Sequence, residues 1–123
     1  MSFLEHLDER GSFAELVKVS ECGENFTIKQ VSLCKINPGF TRGKHWHKET
    51  TEMYIVLEGE MIYRWSLVQN DGNRSKMLEK KITKGNSVFV NPLTYHEVFS
   101  QDGATFFILS NKEFDPQNTD TYK

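Results

Sequence analysis

The sequence predicts an all-β fold, a sandwich or barrel of short antiparallel strands in a single domain. Two observations carry that expectation. Apolar residues alternate with polar ones over short segments, and the segments stop at turn signals, among them Asn37-Pro38-Gly39, Glu58-Gly59, Lys84-Gly85, Asn91-Pro92 and Asp102-Gly103. A third is length, since 123 residues amount to one hydrophobic core.

Along the chain, residues 13–19 combine fair helix propensity with a β-branched end and read as a strand. A strand over 27–36 ends at Asn37-Pro38-Gly39. Residues 52–56 and 61–67 read as a hairpin turning at Glu58-Gly59, with Val56 opposite Met61. Glu52, Tyr54, Met61, Tyr63 and Trp65 then share one face. Met53, Ile55 and Leu57 make the opposite face apolar too, so a second sheet or a second subunit is expected to cover it. Residues 69–74 form a solvated polar loop, and further strands are expected over 77–82, 87–90 and 105–110. In the tail, 111–123, Phe114, Pro116 and Tyr122 are placed to pack as an extended cover. No internal repeat or linker divides the chain, so 1–123 reads as one domain.

Composition narrows the function. A formal charge of −2 provides no basic field for a phosphate backbone, which excludes nucleic acid as the main partner. The longest apolar run, Met53-Tyr54-Ile55-Val56-Leu57, is far short of the roughly 20 residues of a membrane span, so no membrane partner is expected. Residues 1–10 carry Glu5, Asp8 and Glu9 without a basic start or apolar core, which makes the cytoplasm the expected compartment. Cys22 and Cys34 lack CxxC spacing and read as reduced thiols.

The chemistry concentrates in four residues. His45 and His47 project to one side of a strand, Glu52 opens the next alternating segment on its inward face, and His96 follows a Gly/Pro-bounded strand. HxH alone is a common chance spacing. Three neutral imidazoles and one carboxylate together would leave a divalent ion with net charge +1 and room for a water or substrate oxygen. Such ligands suit zinc, iron, manganese, nickel or copper. His6 lies outside the pattern and reads as solvent-exposed. By strand parity Tyr54 and Tyr63 face the same interior and are candidate proton donors, with core packing as their other role. Arg10, Arg42 and Lys44 are cations available to a diphosphate.

The spacing Gly39-x5-His45-x-His47-x4-Glu52-x6-Gly59 resembles the first motif of the cupin superfamily, and Gly85, Pro92 and His96 resemble its second. The second motif, over 85–100, departs from the pattern at Asn91, Leu93 and Ser100. This resemblance implies a double-stranded β-helix, the cupin or jelly-roll barrel, with its metal motifs at 39–59 and 85–100. Two flanking runs, Asp8-x-Arg10-Gly11-x-Phe13-x-Glu15 and Arg42-Gly43-x-His45, are similar to signatures of the cupin-fold dimeric epimerases that act on dTDP-4-keto-6-deoxyhexoses. That similarity implies a homodimer and makes Arg10, Phe13, Glu15 and Arg42 substrate-binding residues.

His45-Trp46-His47 and the tail from Asn111 to Tyr122 resemble, more specifically, the C-terminal cupin domain of bifunctional capsule-sugar epimerase/reductases. That family implies zinc and epimerisation at C3 of a UDP-4-keto-6-deoxy-HexNAc, in bacterial surface-polysaccharide biosynthesis. No GxGxxG reductase motif accompanies it here, so the chain reads as the cupin half standing alone. In the dTDP-sugar epimerases the histidine matching His45 is a free base and the second His of HxH is missing. With His47, Glu52 and His96 all present, His45 reads as a metal ligand. The expectation is a metal-dependent, nucleotide-sugar 3-epimerase. A 3,4-ketoisomerase, a non-catalytic sugar- or metal-binding cupin and a metal-dependent oxygen enzyme are the alternatives.

Overall fold

The alternation of polar and apolar residues builds nine strands among residues 3–123, the span this computed structural model describes. Met1 and Ser2, which open both the segment read for export signals and the single-domain span, lie outside the described residues. Strands β1 (Glu5–Asp8) and β2 (Gly11–Ala14) pair as a small hairpin of their own, followed by a 3-10 turn at Val19–Cys22. The rest comprises β3 (Gln30–Ile36), β4 (Phe40–His45), β5 (Glu52–Leu67), β6 (Leu78–Thr83), β7 (Ser87–Val90), β8 (Thr94–Ser100) and β9 (Ala104–Ser110), all paired antiparallel. The all-β expectation holds.

The predicted hairpin at Glu58-Gly59 does not form. β5 is one continuous strand of 16 residues that bends there and serves both sides of the molecule. Its first half pairs with β9 and β7, its second with β8 and β6. Two curled leaves, β3-β9-β5-β7 and β4-β8-β5-β6, therefore share one strand. The register against β9 slips between Val56 and Glu58, a bulge that lets the strand change leaf. Gly59 has φ 81, the left-handed conformation its turn signal implied, but Ala104 pairs directly beside it and holds the chain in the sheet. One inserted residue flips side-chain parity as a two-residue turn does, so Tyr54, Val56, Met61 and Tyr63 still face one core, with Trp65 packed against it.

That core also takes Ile36, Ile82, Val90, Val98, Ala104 and Phe106. On the other face of β5, what buries Met53 and Ile55 is not the expected second sheet. Met53 and Ile55 pack under Cys22, Phe26 and Leu109, with Leu16, Val17 and Ile28 alongside, so the chain's own N-terminal segment does the covering. Only the first part of 13–19 is strand: β2 stops at Ala14 and the 3-10 turn begins at Val19. Val17 packs over β5 and Val19 opens the turn with its side chain exposed, so neither β-branched residue marks a ladder. Residues 27–29 likewise precede β3. The 69–74 loop is largely exposed, as expected. No helix among the described residues is long and apolar enough to cross a membrane.

Candidate functional site

Antiparallel pairing of β4 and β8 sets His45 directly opposite His96, and cross-strand partners point to one face. A register shift between Gly43 and His45, with Lys44 at φ 63, aims the end of β4 inward. Trp46 turns away and meets Tyr122, ring centroids 4.8 Å apart, so His47 comes back to the His45 side. The three imidazole centroids are separated by 4.9 Å (His45–His47), 4.7 Å (His45–His96) and 5.3 Å (His47–His96). Glu52, at the head of β5, reaches across from the other leaf. Its Oε1 lies 3.2 Å from His47 Nε2 and 3.6 Å from His96 Nε2. One ligand atom from each of the four residues falls within 4.8 Å of the others, a group that could hold a metal ion.

The protonation pattern follows from burial and neighbours. His96 is fully buried, donates through Nδ1 to the Thr94 carbonyl at 3.0 Å, and has no hydrogen bond at Nε2 among the described residues. A buried polar nitrogen left unpaired is costly. Its aim at Glu52, among two more imidazoles, is what a divalent-ion ligand requires, and the N3O donor set fits such an ion. Burial presses the His96 pKa down to about 4, which leaves the ring neutral and its lone pair free. Burial and then His47 lower His45. Burial also presses on His47, but Glu52 and the Asp120 carbonyl outweigh it and hold this ring above the ordinary value. Glu52 is pushed up by burial and pulled further down by the three histidines, so it stays a carboxylate.

A pH dependence of stability follows. Below about 6.5 the unfolded chain protonates the His96 ring, whereas the folded chain does so only near 4, so protons favour unfolding throughout that window. The metal-free protein is expected to lose roughly 2–4 kcal/mol between those limits through this ring. His47, shifted the other way, contributes stability below its unfolded pKa that is lost as pH rises, and blunts the slope. Urea melts at about pH 7 and about pH 5 check this, and equal midpoints would refute it.

A cavity of about 270 Å³ opens beside the cluster. His45, His47 and Glu52 line it with Gln30, Thr50 and Ser110, and the tail supplies the rest of the wall through Lys112 to Asp115, Asn118, Asp120 and Thr121. Tyr122 covers as expected, bridging to Trp46, but Phe114 stays 65% exposed and Pro116 is exposed as well. Asp120 carries most of the docking. Its carboxylate accepts from the backbone N–H groups of Lys48, Glu49 and Thr50 and from the Thr50 hydroxyl. Asn111 Oδ1 accepts the Thr51 N–H at 2.9 Å. Sequence reasoning misses both residues. They lie 60 or more positions from their partners, and no local pattern marks such contacts.

The remaining candidates divide. Tyr54 and Tyr63 are buried in the core as parity predicts, and neither borders the cavity. The Tyr54 hydroxyl donates to Glu52 Oε1 at 3.5 Å, while Tyr63 stacks on Trp65. Burial, then the Glu52 charge, pushes both phenols up, so both carry their protons at neutral pH. Arg10, Phe13 and Glu15 sit on or just after the exposed β1-β2 hairpin and do not line the cluster's cavity; Arg10 is paired with Asp8. Arg42 is exposed on β4, beside Cys34. His6 is exposed on the hairpin.

The model of the polysaccharide biosynthesis C-terminal domain matches residues 6–122. A curated relative, UDP-2-acetamido-2,6-beta-L-arabino-hexul-4-ose reductase of Pseudomonas aeruginosa, is 28% identical over 95% of this chain and 30% of its own length. The crystal structure of the capsular polysaccharide assembling protein CapF from Staphylococcus aureus aligns with a TM-score of 0.70 and 28% identity, over 99% of this chain and 32% of that one. This chain thus spans about a third of either relative. The dTDP-6-deoxy-D-glucose-3,5-epimerase RmlC from Legionella pneumophila, solved with dTDP-4-keto-L-rhamnose, aligns with a TM-score of 0.76 at 16% identity, over 95% of this chain and 68% of that one. At that identity the likeness concerns the fold, which is the cupin-like barrel.

Proposed function

The chain belongs to the polysaccharide biosynthesis C-terminal domain family, and from that premise we propose that it is a metal-dependent epimerase acting at C3 of a nucleotide-activated 4-keto-6-deoxy sugar. The observation that carries this reading is the unpaired Nε2 of buried His96, converging with His45, His47 and Glu52 beside a cavity large enough for a sugar ring. The names of the relatives, a UDP-sugar reductase and a capsular polysaccharide protein, supply the substrate class.

The reaction removes a proton next to a ketone and returns one from the opposite face. His45, His47, Glu52 and His96 would hold a divalent ion, zinc in this reading, and its charge would favour the enolate oxygen that develops, an effect worth about 3–4 kcal/mol. The chain does the rest. Glu52 and the imidazoles fix the charge balance, and of the two protonated phenols Tyr54, whose hydroxyl meets Glu52 at 3.5 Å, is the one within reach of the cluster, with Tyr63 packed behind it; a positioned acid is good for typically 10²–10⁴-fold. Arg42 and Arg10 bind the diphosphate, and Phe13 and Glu15 the nucleoside.

Because those hairpin residues do not line the cluster's cavity, we assign their role to a homodimer in which one copy's hairpin serves its partner. The hairpin exposes Leu7 (75%) and Phe13 (62%), and β3 exposes Val31 (59%) and Leu33 (60%), apolar side chains that a second copy would cover. Sedimentation velocity at micromolar concentration is expected to give twice the chain mass; a monomer would end this assignment. The free thiols Cys22 and Cys34 fit a cytoplasmic enzyme, and cell fractionation checks that placement.

The decisive experiment incubates the zinc-loaded protein with UDP- or dTDP-linked 4-keto-6-deoxy sugars in deuterated water. Deuterium at C3 is expected. Its absence rejects the epimerase. A carbonyl moved to C3 in the product NMR spectrum identifies a 3,4-ketoisomerase instead, and calorimetric binding without exchange identifies a binding module.

A further inference from the structure

We infer that Asp120 is the positioning residue of the cluster, setting both the tautomer and the direction of His47, so that the C-terminal tail is a working part of the metal site; this rests on the metal reading above. Two separate groups of Asp120 act on the same stretch. Its backbone carbonyl faces His47 Nδ1 at 2.6 Å. A carbonyl and a carboxylate can only accept, so in the metal-free chain Asp120 at Nδ1 and Glu52, 3.2 Å from Nε2, compete for the single proton of the neutral ring; the shorter Asp120 contact favours Nδ1–H, which leaves the Nε2 lone pair to a metal.

The Asp120 carboxylate then grips the backbone immediately after His47. It takes the N–H of Lys48 at 2.9 Å, of Glu49 at 2.8 Å and of Thr50 at 2.9 Å, with the Thr50 hydroxyl at 2.9 Å. Hydrogen bonds to an ionised acceptor are about twice as strong as neutral ones. Burial acts against this charge, but the bonds outweigh it and hold the carboxyl below its ordinary value. The ring and the main chain of one ligand are therefore held by one residue, 73 positions away.

The other two histidines need no such help. His96 Nδ1 bonds to Thr94 on the same strand, and His45 bonds to the backbone of nearby Gly43. Of the three, His47 takes its orientation from a distant segment. Partners that hold the outer nitrogen of a metal-bound imidazole typically account for 10–100-fold in metal affinity.

The test uses the full chain, labelled with 15N, as wild type, Asp120→Ala, Asp120→Asn and Tyr122→Ala. Long-range 1H–15N spectra of the metal-free protein at about pH 9, where imidazole is neutral, read the tautomer directly. Chelator competition reads zinc affinity, and thermal melts verify folding. In wild type His47 is expected as the Nδ1–H tautomer. Asp120→Ala keeps the backbone carbonyl but removes the carboxylate that anchors it beside His47, so it should mix the tautomers and weaken zinc by about 10–100-fold. Asp120→Asn, which keeps one acceptor oxygen, should fall between. Tyr122→Ala removes a tail anchor, leaves the Asp120 groups in place, and should weaken zinc by less than Asp120→Ala.

An Nε2–H tautomer in wild type overturns the inference, as does an Asp120→Ala protein with unchanged tautomer and zinc affinity, or a Tyr122→Ala protein weakened equally. If wild type binds no zinc, the metal reading fails, while the tautomer spectra still decide whether Asp120 orients His47.

Discussion

Glu52→Gln is expected to cost more than about 100-fold in zinc affinity and, with it, about 10²–10³-fold in deuterium exchange at C3. The substitution keeps the shape of the side chain and removes one negative charge from among three imidazoles. Changes to groups outside a ligand set already cost about 10–100-fold, so loss of one of the four proposed ligands should exceed that. His47 loses the carboxylate that holds its pKa up, so burial should then push that ring lower. Metal content by elemental analysis, zinc affinity by chelator competition and the exchange rate on the same samples give the answer. A Glu52→Gln protein that is folded, retains stoichiometric zinc and exchanges at the wild-type rate would remove Glu52 from the site.

Gly59→Ala is expected to destabilise the protein by roughly 3 kcal/mol or more, lowering the melting temperature by about 10 °C. A Cβ at this position would lie 2.4 Å from the Gly103 carbonyl oxygen and 3.1 Å from Ala104 Cα. Both obstacles are backbone, Gly103 just before β9 and Ala104 its first residue, which pairs with Gly59, so neither can swing aside. The φ of 81 adds the left-handed penalty of about 1–2 kcal/mol. Gly39 provides the control. Its φ is 83, but nothing among the described residues lies within 4 Å of an added Cβ, so Gly39→Ala should show the conformational penalty alone. Chemical denaturation of the two variants separates strain from collision. Equal losses would mean that β9 yields and that the bend in β5 is not held by this contact.

How much of this is legible in the sequence depends on the range of the interaction. His45, His47 and Glu52 can be assembled because strand parity is a two-residue rule, readable wherever alternation is clean, whereas His96 joins them in the sequence through its resemblance to the second cupin motif. The inward set of β5 follows correctly even though the expected hairpin does not form, because a bulge and a tight turn shift parity alike. What differs is invisible locally. A Glu-Gly pair can reverse the chain or bend it, and the choice falls to whether another strand lies alongside, which here is Ala104 of β9. The cover over Met53 and Ile55 escapes the sequence for the same reason, since the turn around Cys22 and Phe26 meets them only after folding.

By itself, then, the order of residues determined the strand character of the chain and the inward side of β5, consequences of side-chain alternation between neighbours, and singled out four side chains that converge in the fold. Only the folded molecule decided that β5 runs unbroken between two leaves, that the N-terminal segment seals its outer face, and that Asp120 closes over His47. Those contacts join parts of the chain far apart in sequence, and their free energy exists only once long-range closure has brought them together, so no short-range pattern can encode them.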